Sequence, residues 1–161
     1  MKRKVAVDED ISRRIASTMN VAYGDKGYEF IYIADLVGHG AKDEFWAERF
    51  GKFGGEIILS ADKNIAKKPR KLLAFRENEL ICFFMQPLWS NRPGHYKLCH
   101  ALYWWHWIHR KLNECQRRDC WQVPLVLTGN EFKRLEIPAH VLESAKSQRA
   151  CEADYEVQRR R

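Results

Sequence analysis

The sequence predicts an α/β fold, with a mostly parallel central sheet flanked by helices and a C-terminal helix plus β-hairpin extension. Short runs of β-branched and aromatic residues alternate with helix-length amphipathic segments as far as Met85. The order strand, helix, strand, helix, strand, helix, strand calls for crossover connections, which join parallel strands. The first three apolar runs each lead into acid, at Asp8, Asp35 and Asp62, so a shared sheet edge would gather carboxylates.

Val5-Ala6-Val7 is the first short strand, ending in Asp8-Glu9-Asp10. A helix follows, with Asp10 as its expected N-cap and Ile11, Ile15, Met19 and Ala22 along one face. Gly24 and Gly27 close it, and Glu29 to Ala34 is the second strand, running into Asp35. A loop, Val37 to Lys42, precedes a helix opened by Asp43-Glu44 and expected to carry Phe45, Trp46 and Phe50 to the core. Gly54-Gly55 turns the chain into the third strand, Ile57 to Leu59, which stops at Ser60 and Asp62. Pro69 suits the first turn of a helix through Asn78, and Glu79 to Met85 is the fourth strand.

Pro87 to Gly94 is linker-like, and His95 to Arg117 is the longest helical pattern, with Leu98, Leu102, Trp105, Ile108 and Leu112 on one face. Trp121 to Thr128 and Glu131 to Ile137 read as two strands joined at Gly129-Asn130, a hairpin signal. Residues 1–137 form the expected domain, with a core at 4–90 and the helix and hairpin at 95–137. The tail, 138–161, is expected to be partly helical through Val141, Leu142 and Ala145 and frayed or disordered at its end.

Composition narrows the function. A formal charge of +7 and a pI near 9.2 favour a polyanionic partner such as nucleic acid, although moderate basicity also serves solubility. No apolar run is long enough to cross a membrane, and the basic start Met1-Lys2-Arg3-Lys4 lacks the apolar stretch of a signal peptide. Five cysteines without a paired pattern suit a reducing compartment, so the cytoplasm is the expected location.

The acids fall in three groups: Asp8-Glu9-Asp10, Asp43-Glu44 and Asp62. Hard divalent cations such as Mg²⁺ and Mn²⁺ take oxygen ligands, usually a few carboxylates plus water. Asp10 and Asp43 are equally natural helix caps, and Asp62 could simply close the turn at Asn64.

The succession Val-Asp-Glu-Asp-Ile-Ser-Arg-Arg-Ile-Ala, Ala-Lys-Asp-Glu-Phe-Trp and Ile-Leu-Ser-Ala-Asp-Lys-Asn-Ile resembles the PIN-like domain of the VapC-type toxins. Those are metal-dependent ribonucleases, many of them the toxin of a toxin–antitoxin pair. The likeness covers roughly residues 4 to 90, and more loosely the helix and hairpin to about Pro138. It implies that Asp8, Asp43 and Asp62 hold Mg²⁺ or Mn²⁺ and are the catalytic residues, with Glu9, Asp10, Glu44 and Ser60 supporting them. Ser60 stands where the family usually has Thr, and its hydroxyl is expected to keep a hydrogen bond to a carboxylate. No obvious fourth acid follows Asp62, where Lys63-Asn64 stands, so the number of metal ions stays open. The resemblance further implies hydrolysis of RNA phosphodiesters by metal-activated water, and an antitoxin partner. The rival reading is a module that kept the fold, lost catalysis and acts by binding protein or RNA; a DNA nuclease is a third.

Lys63, Lys67, Lys68, Arg70 and Lys71 follow the acidic corner and are the expected contacts to the RNA backbone, unless they form an ordinary solvated turn. The long helix carries a second stripe, Tyr96, His100, Tyr103, Trp104, Trp107 and Lys111. Burial under the hairpin, a homodimer or antitoxin surface, and a base-stacking platform all remain open for it. Cys99, His100, His106, His109, Cys115 and Cys120 collect in the same region, but their spacing is unlike structural zinc.

Overall fold

Side chains that alternate along each strand decide how the sheet is covered. In the computed structural model, which describes residues 1–62, 64–127 and 131–159, Val5 and Val7 of β1 (Arg3–Val7) face one apolar cluster and Ala6 the other. The same division holds in β3 (Gly55–Ser60), with Ile57 and Leu59 against Ile58, and in β4 (Ile81–Met85), with Ile81, Phe83 and Met85 against Cys82 and Phe84. Strands apolar on both faces need helices on both faces. α1 (Arg13–Tyr23) and α5 (Gly94–Lys111) cover the first; α3 (Asp43–Lys52) and α4 (Pro69–Glu77) cover the second.

The sheet has the order β2-β1-β3-β4-β5-β6, where β2 is Tyr28–Tyr32, β5 is Cys120–Val123 and β6 is Lys133–Arg134. The first five strands are parallel and β6 is antiparallel, so the expected α/β architecture with a mostly parallel sheet is present. From β1 the chain steps outward to β2, then returns to place β3 on the other flank of β1. Such a reversal opens a crevice at the carboxyl ends of the two strands, where α/β proteins bind ligands. Asp8 follows β1 and Asp62 follows β3 at that crevice.

Several local expectations differ. Ser12, not Asp10, caps α1, because its hydroxyl lies where it can accept from the Arg14 N–H at 3.2 Å. β2 stops at Tyr32, and Asp35 sits in a short helix α2 (Ile33–Val37), paired with Arg13. Phe45 does not reach the core; it is 51% exposed, whereas Trp46 and Phe50 are buried. Gly55 is needed for that packing, since a Cβ there would lie 2.3 Å from the Phe50 ring. The antiparallel extension is shorter than the pattern suggests, only two residues of β6 pairing with β5, and its expected turn at Gly129-Asn130 lies outside the described residues.

Part of the second aromatic stripe of α5 is covered by the chain itself. Tyr96 Oη donates to Leu125 O at 2.6 Å, His100 Nε2 lies 2.7 Å from Pro124 O, and Trp104 Nε1 donates to Val126 O at 3.2 Å. Of its three readings, burial therefore describes Tyr96, His100 and Trp104. Beyond β6, α6 (Ala139–Arg159) packs along α4 and buries Ala145. No helix among the described residues is long and apolar enough to cross a membrane.

Candidate functional site

Three elements deliver one carboxylate each: Asp8 just past β1, Asp43 at the first position of α3, and Asp62 two residues past β3. Asp8 and Asp62 are 5% and 6% exposed, and an isolated carboxylate at such depth would shed its charge. Both are held by fixed donors. Asp8 takes the Glu9 N–H on Oδ1 at 2.8 Å and the Ser60 hydroxyl on Oδ2 at 2.7 Å. Ser60 Oγ also accepts from the Asp62 N–H at 3.2 Å, which ties the ends of β1 and β3 together. Asp62 Oδ1 accepts from the Asn64 N–H at 3.0 Å, closing the turn after β3, and Asp43 Oδ1 accepts from Trp46 Nε1 at 3.2 Å.

The three carboxylates share one cation, and it is a side chain. Lys71 Nζ lies 3.0 Å from Asp8 Oδ2, 3.1 Å from Asp43 Oδ1 and 3.5 Å from Asp62 Oδ2. Expected on a solvated basic turn against RNA, Lys71 is instead only 5% exposed, its ammonium 5.9 Å from the Trp46 ring and 5.7 Å from that of Phe75. Burial works against the charged amine, but Asp8 and Asp43 outweigh it and push its pKa above the ordinary lysine value. Lys68 adds a second ammonium, 2.7 Å from Asp62 Oδ2. Burial raises the Asp62 pKa, yet Lys68, the Asn64 N–H and Lys71 together hold it below the usual carboxylate range.

The supporting residues are placed variously. Asp10 stands at the exposed rim, where lost hydration and then the charges of Asp8 and Asp62 raise its pKa. Glu9 turns outward, accepting from the Gly40 N–H at 3.0 Å and lying 3.3 Å from His39 Nδ1, so it pins the loop before α3. Glu44 pairs with Arg70 at 3.2 Å, and Arg70 also reaches Glu152 of α6 at 2.9 Å. Lys67 is exposed; Lys63 lies outside the described residues.

Sequence reasoning missed Lys71 as the partner of all three acids, and Trp46 Nε1 as a donor to Asp43. A signal for the first was available. Lys71 lies four residues before Phe75 and beside Leu72, on the face of α4 that meets the core, and a lysine on a buried face requires an acidic partner.

The model of the family described as PIN like domain matches residues 3–87, just over half of the 161-residue chain. The chain belongs to the PIN-like domain family. The match spans β1 to β4 and includes Asp8, Asp43, Ser60, Asp62 and Lys71, so this PIN-like domain has a fold of nuclease type. No curated protein and no solved structure matches the chain.

Whether the residues suit the divalent ion implied for this fold is answered by the ammonium. The donor chemistry fits: three carboxylates from separate elements already hold one cation in common. The spacing is that of an ammonium cage, however, since divalent ions take oxygens at about 2.0–2.6 Å. Among the described residues no three His, Cys, Asp or Glu side chains stand as a ready-made metal centre.

Proposed function

We propose that this PIN-like domain is a metal-dependent endoribonuclease, the toxin component of a toxin–antitoxin pair. The observation that carries the catalytic reading is the convergence of Asp8, Asp43 and Asp62 on one cation position at the crevice between β1 and β3. Those three would hold Mg²⁺ or Mn²⁺, which when bound supplies a more acidic water and charge neutralisation at a phosphodiester. The chain's own residues do the positioning. Ser60 fixes the bearing of Asp8 on Asp62, Trp46 orients Asp43, and the Asn64 N–H orients Asp62. Asp10 stands at the exposed rim of the same corner. Lys67 and the half-exposed Lys68 form the basic flank that would steady the RNA backbone. A cognate antitoxin, and self-association into a homodimer, belong to this reading as its partners.

The binding-module alternative is favoured by one observation, the Lys71 ammonium standing among the three acids. Incubation of the purified chain with pooled cellular RNAs separates the two. We expect cleavage with Mn²⁺ or Mg²⁺, none with chelator, and none from Asp62→Asn under either condition. Cleavage that survives the chelator or the substitution overturns the metal mechanism. RNA retention without any cleavage in Mn²⁺ moves the assignment to the binding module.

A further inference from the structure

We propose that the Lys71 ammonium is a tethered occupant of the cation position, so that a divalent ion binds this chain only by displacing it. The inference rests on reading Asp8, Asp43 and Asp62 as the cation site, and it names how that site is held off.

Competition follows from which oxygens are already engaged. Asp8 Oδ2, Asp43 Oδ1 and Asp62 Oδ2 all face Lys71 Nζ at 3.0 to 3.5 Å. The remaining oxygens of Asp8 and Asp62 accept backbone N–H groups, from Glu9 and Asn64, and point out of the cage. An ion that takes the inward oxygens at about 2 Å therefore lies against Nζ, with two like charges in one poorly hydrated pocket. One of them must leave. Lys71 is not a surface lysine that drifted inward: its side chain is 6% exposed and its ammonium lies against the Trp46 and Phe75 rings. Lys71 thereby offsets part of the negative charge of the metal-free cluster, where unpaired carboxylates would repel. The cost is a weakened metal site, loaded only above a threshold that Lys71 sets. Lys68 contributes less, because of the three carboxylates it pairs with Asp62 alone and its side chain is 48% exposed.

The test is equilibrium Mn²⁺ binding to the full chain, read from the electron paramagnetic resonance of free Mn²⁺. We expect Lys71→Met to bind Mn²⁺ at least about tenfold more tightly than the wild type, and Lys68→Met to change affinity by much less. Because Lys71→Met leaves buried carboxylates without a cation, a second measurement uses the wild type alone. Lysine acetylation followed by mass spectrometry should find Lys71 protected in chelator and modified along the Mn²⁺ binding curve, with exposed Lys26 as the unchanging reference. Mn²⁺ binding by the wild type with Lys71 still protected, or equal affinity in a folded Lys71→Met, overturns the competition and leaves the metal-site reading intact. No Mn²⁺ binding by either protein overturns both.

Discussion

Ser60 has no exposed surface, and its hydroxyl is engaged on both sides, donating to Asp8 Oδ2 and accepting from the Asp62 N–H. Ser60→Ala leaves that buried N–H without a partner and removes one of the three donors that hold Asp8. A stability loss of roughly 1–3 kcal/mol is expected for one orphaned donor, measurable by urea unfolding in chelator. An unchanged midpoint would mean that the hydroxyl bridge is idle. The same residue shows what a sequence can carry at this scale. Asp8, Ser60 and Asp62 are legible because each stands where an apolar strand run breaks, and parallel strands end on one edge. Lys71 is obscured on its N-terminal side, where Lys67-Lys68-Pro69-Arg70-Lys71 reads as uniform charge, and only its helical spacing to Phe75 marks it as core-facing. Depth separates these cations: Lys67 is exposed, Arg70 bridges two glutamates, and Lys71 is buried. Which acids Lys71 meets is fixed only when α4 is laid against the sheet.

The long helix α5 shows the same limit for an element. Periodicity says which residues share a face; it does not say what covers them. Trp105, Ile108 and Leu112 pack into the cluster with Tyr28 and Phe30, as one amphipathic face should. Three members of the other stripe, Tyr96, His100 and Trp104, are settled by a segment without regular structure, residues 124–126, whose carbonyls face them. His100 is fully buried there, and its Nδ1 has no hydrogen-bond partner among the described residues. Burial lowers its pKa, more than the carbonyls of Pro124 and Leu125 raise it. The unfolded chain, with an ordinary histidine pKa near about 6.5, therefore binds the proton more readily than the folded one. This contribution to stability is complete above that pH and is lost as pH falls below it. Between pH 7 and pH 5 the Tm of the wild type should fall further than that of His100→Gln, which keeps a donor toward Pro124 O. Parallel Tm profiles would show that His100 does not titrate in this range.

Across the whole molecule, the candidate site is held from behind by a strap that the core alternation does not foretell. α4 carries Lys71 and is clasped between α3 and α6: Arg70 joins Glu44 to Glu152, Arg149 pairs with Glu77 at 2.8 Å, and Ala145 is sealed at 1% exposure. The surface ion pairs are each worth at most about 1 kcal/mol, so the seam depends chiefly on its apolar contact. Ala145→Asp places a carboxylate in that seam and should cost about 1–3 kcal/mol or more. Because α6 packs chiefly against α4 among the described residues, the loss should appear as local opening. Hydrogen exchange should accelerate first along α6 and the exposed side of α4, while β1, β3 and β4 keep their protection. Acetylation of Lys71 in chelator should rise at the same time if α6 helps to hold the ammonium among the three carboxylates. Uniform loss of protection across the sheet would instead make α6 part of the folding core, and a protected Lys71 beside an open α6 would confine the strap to the periphery.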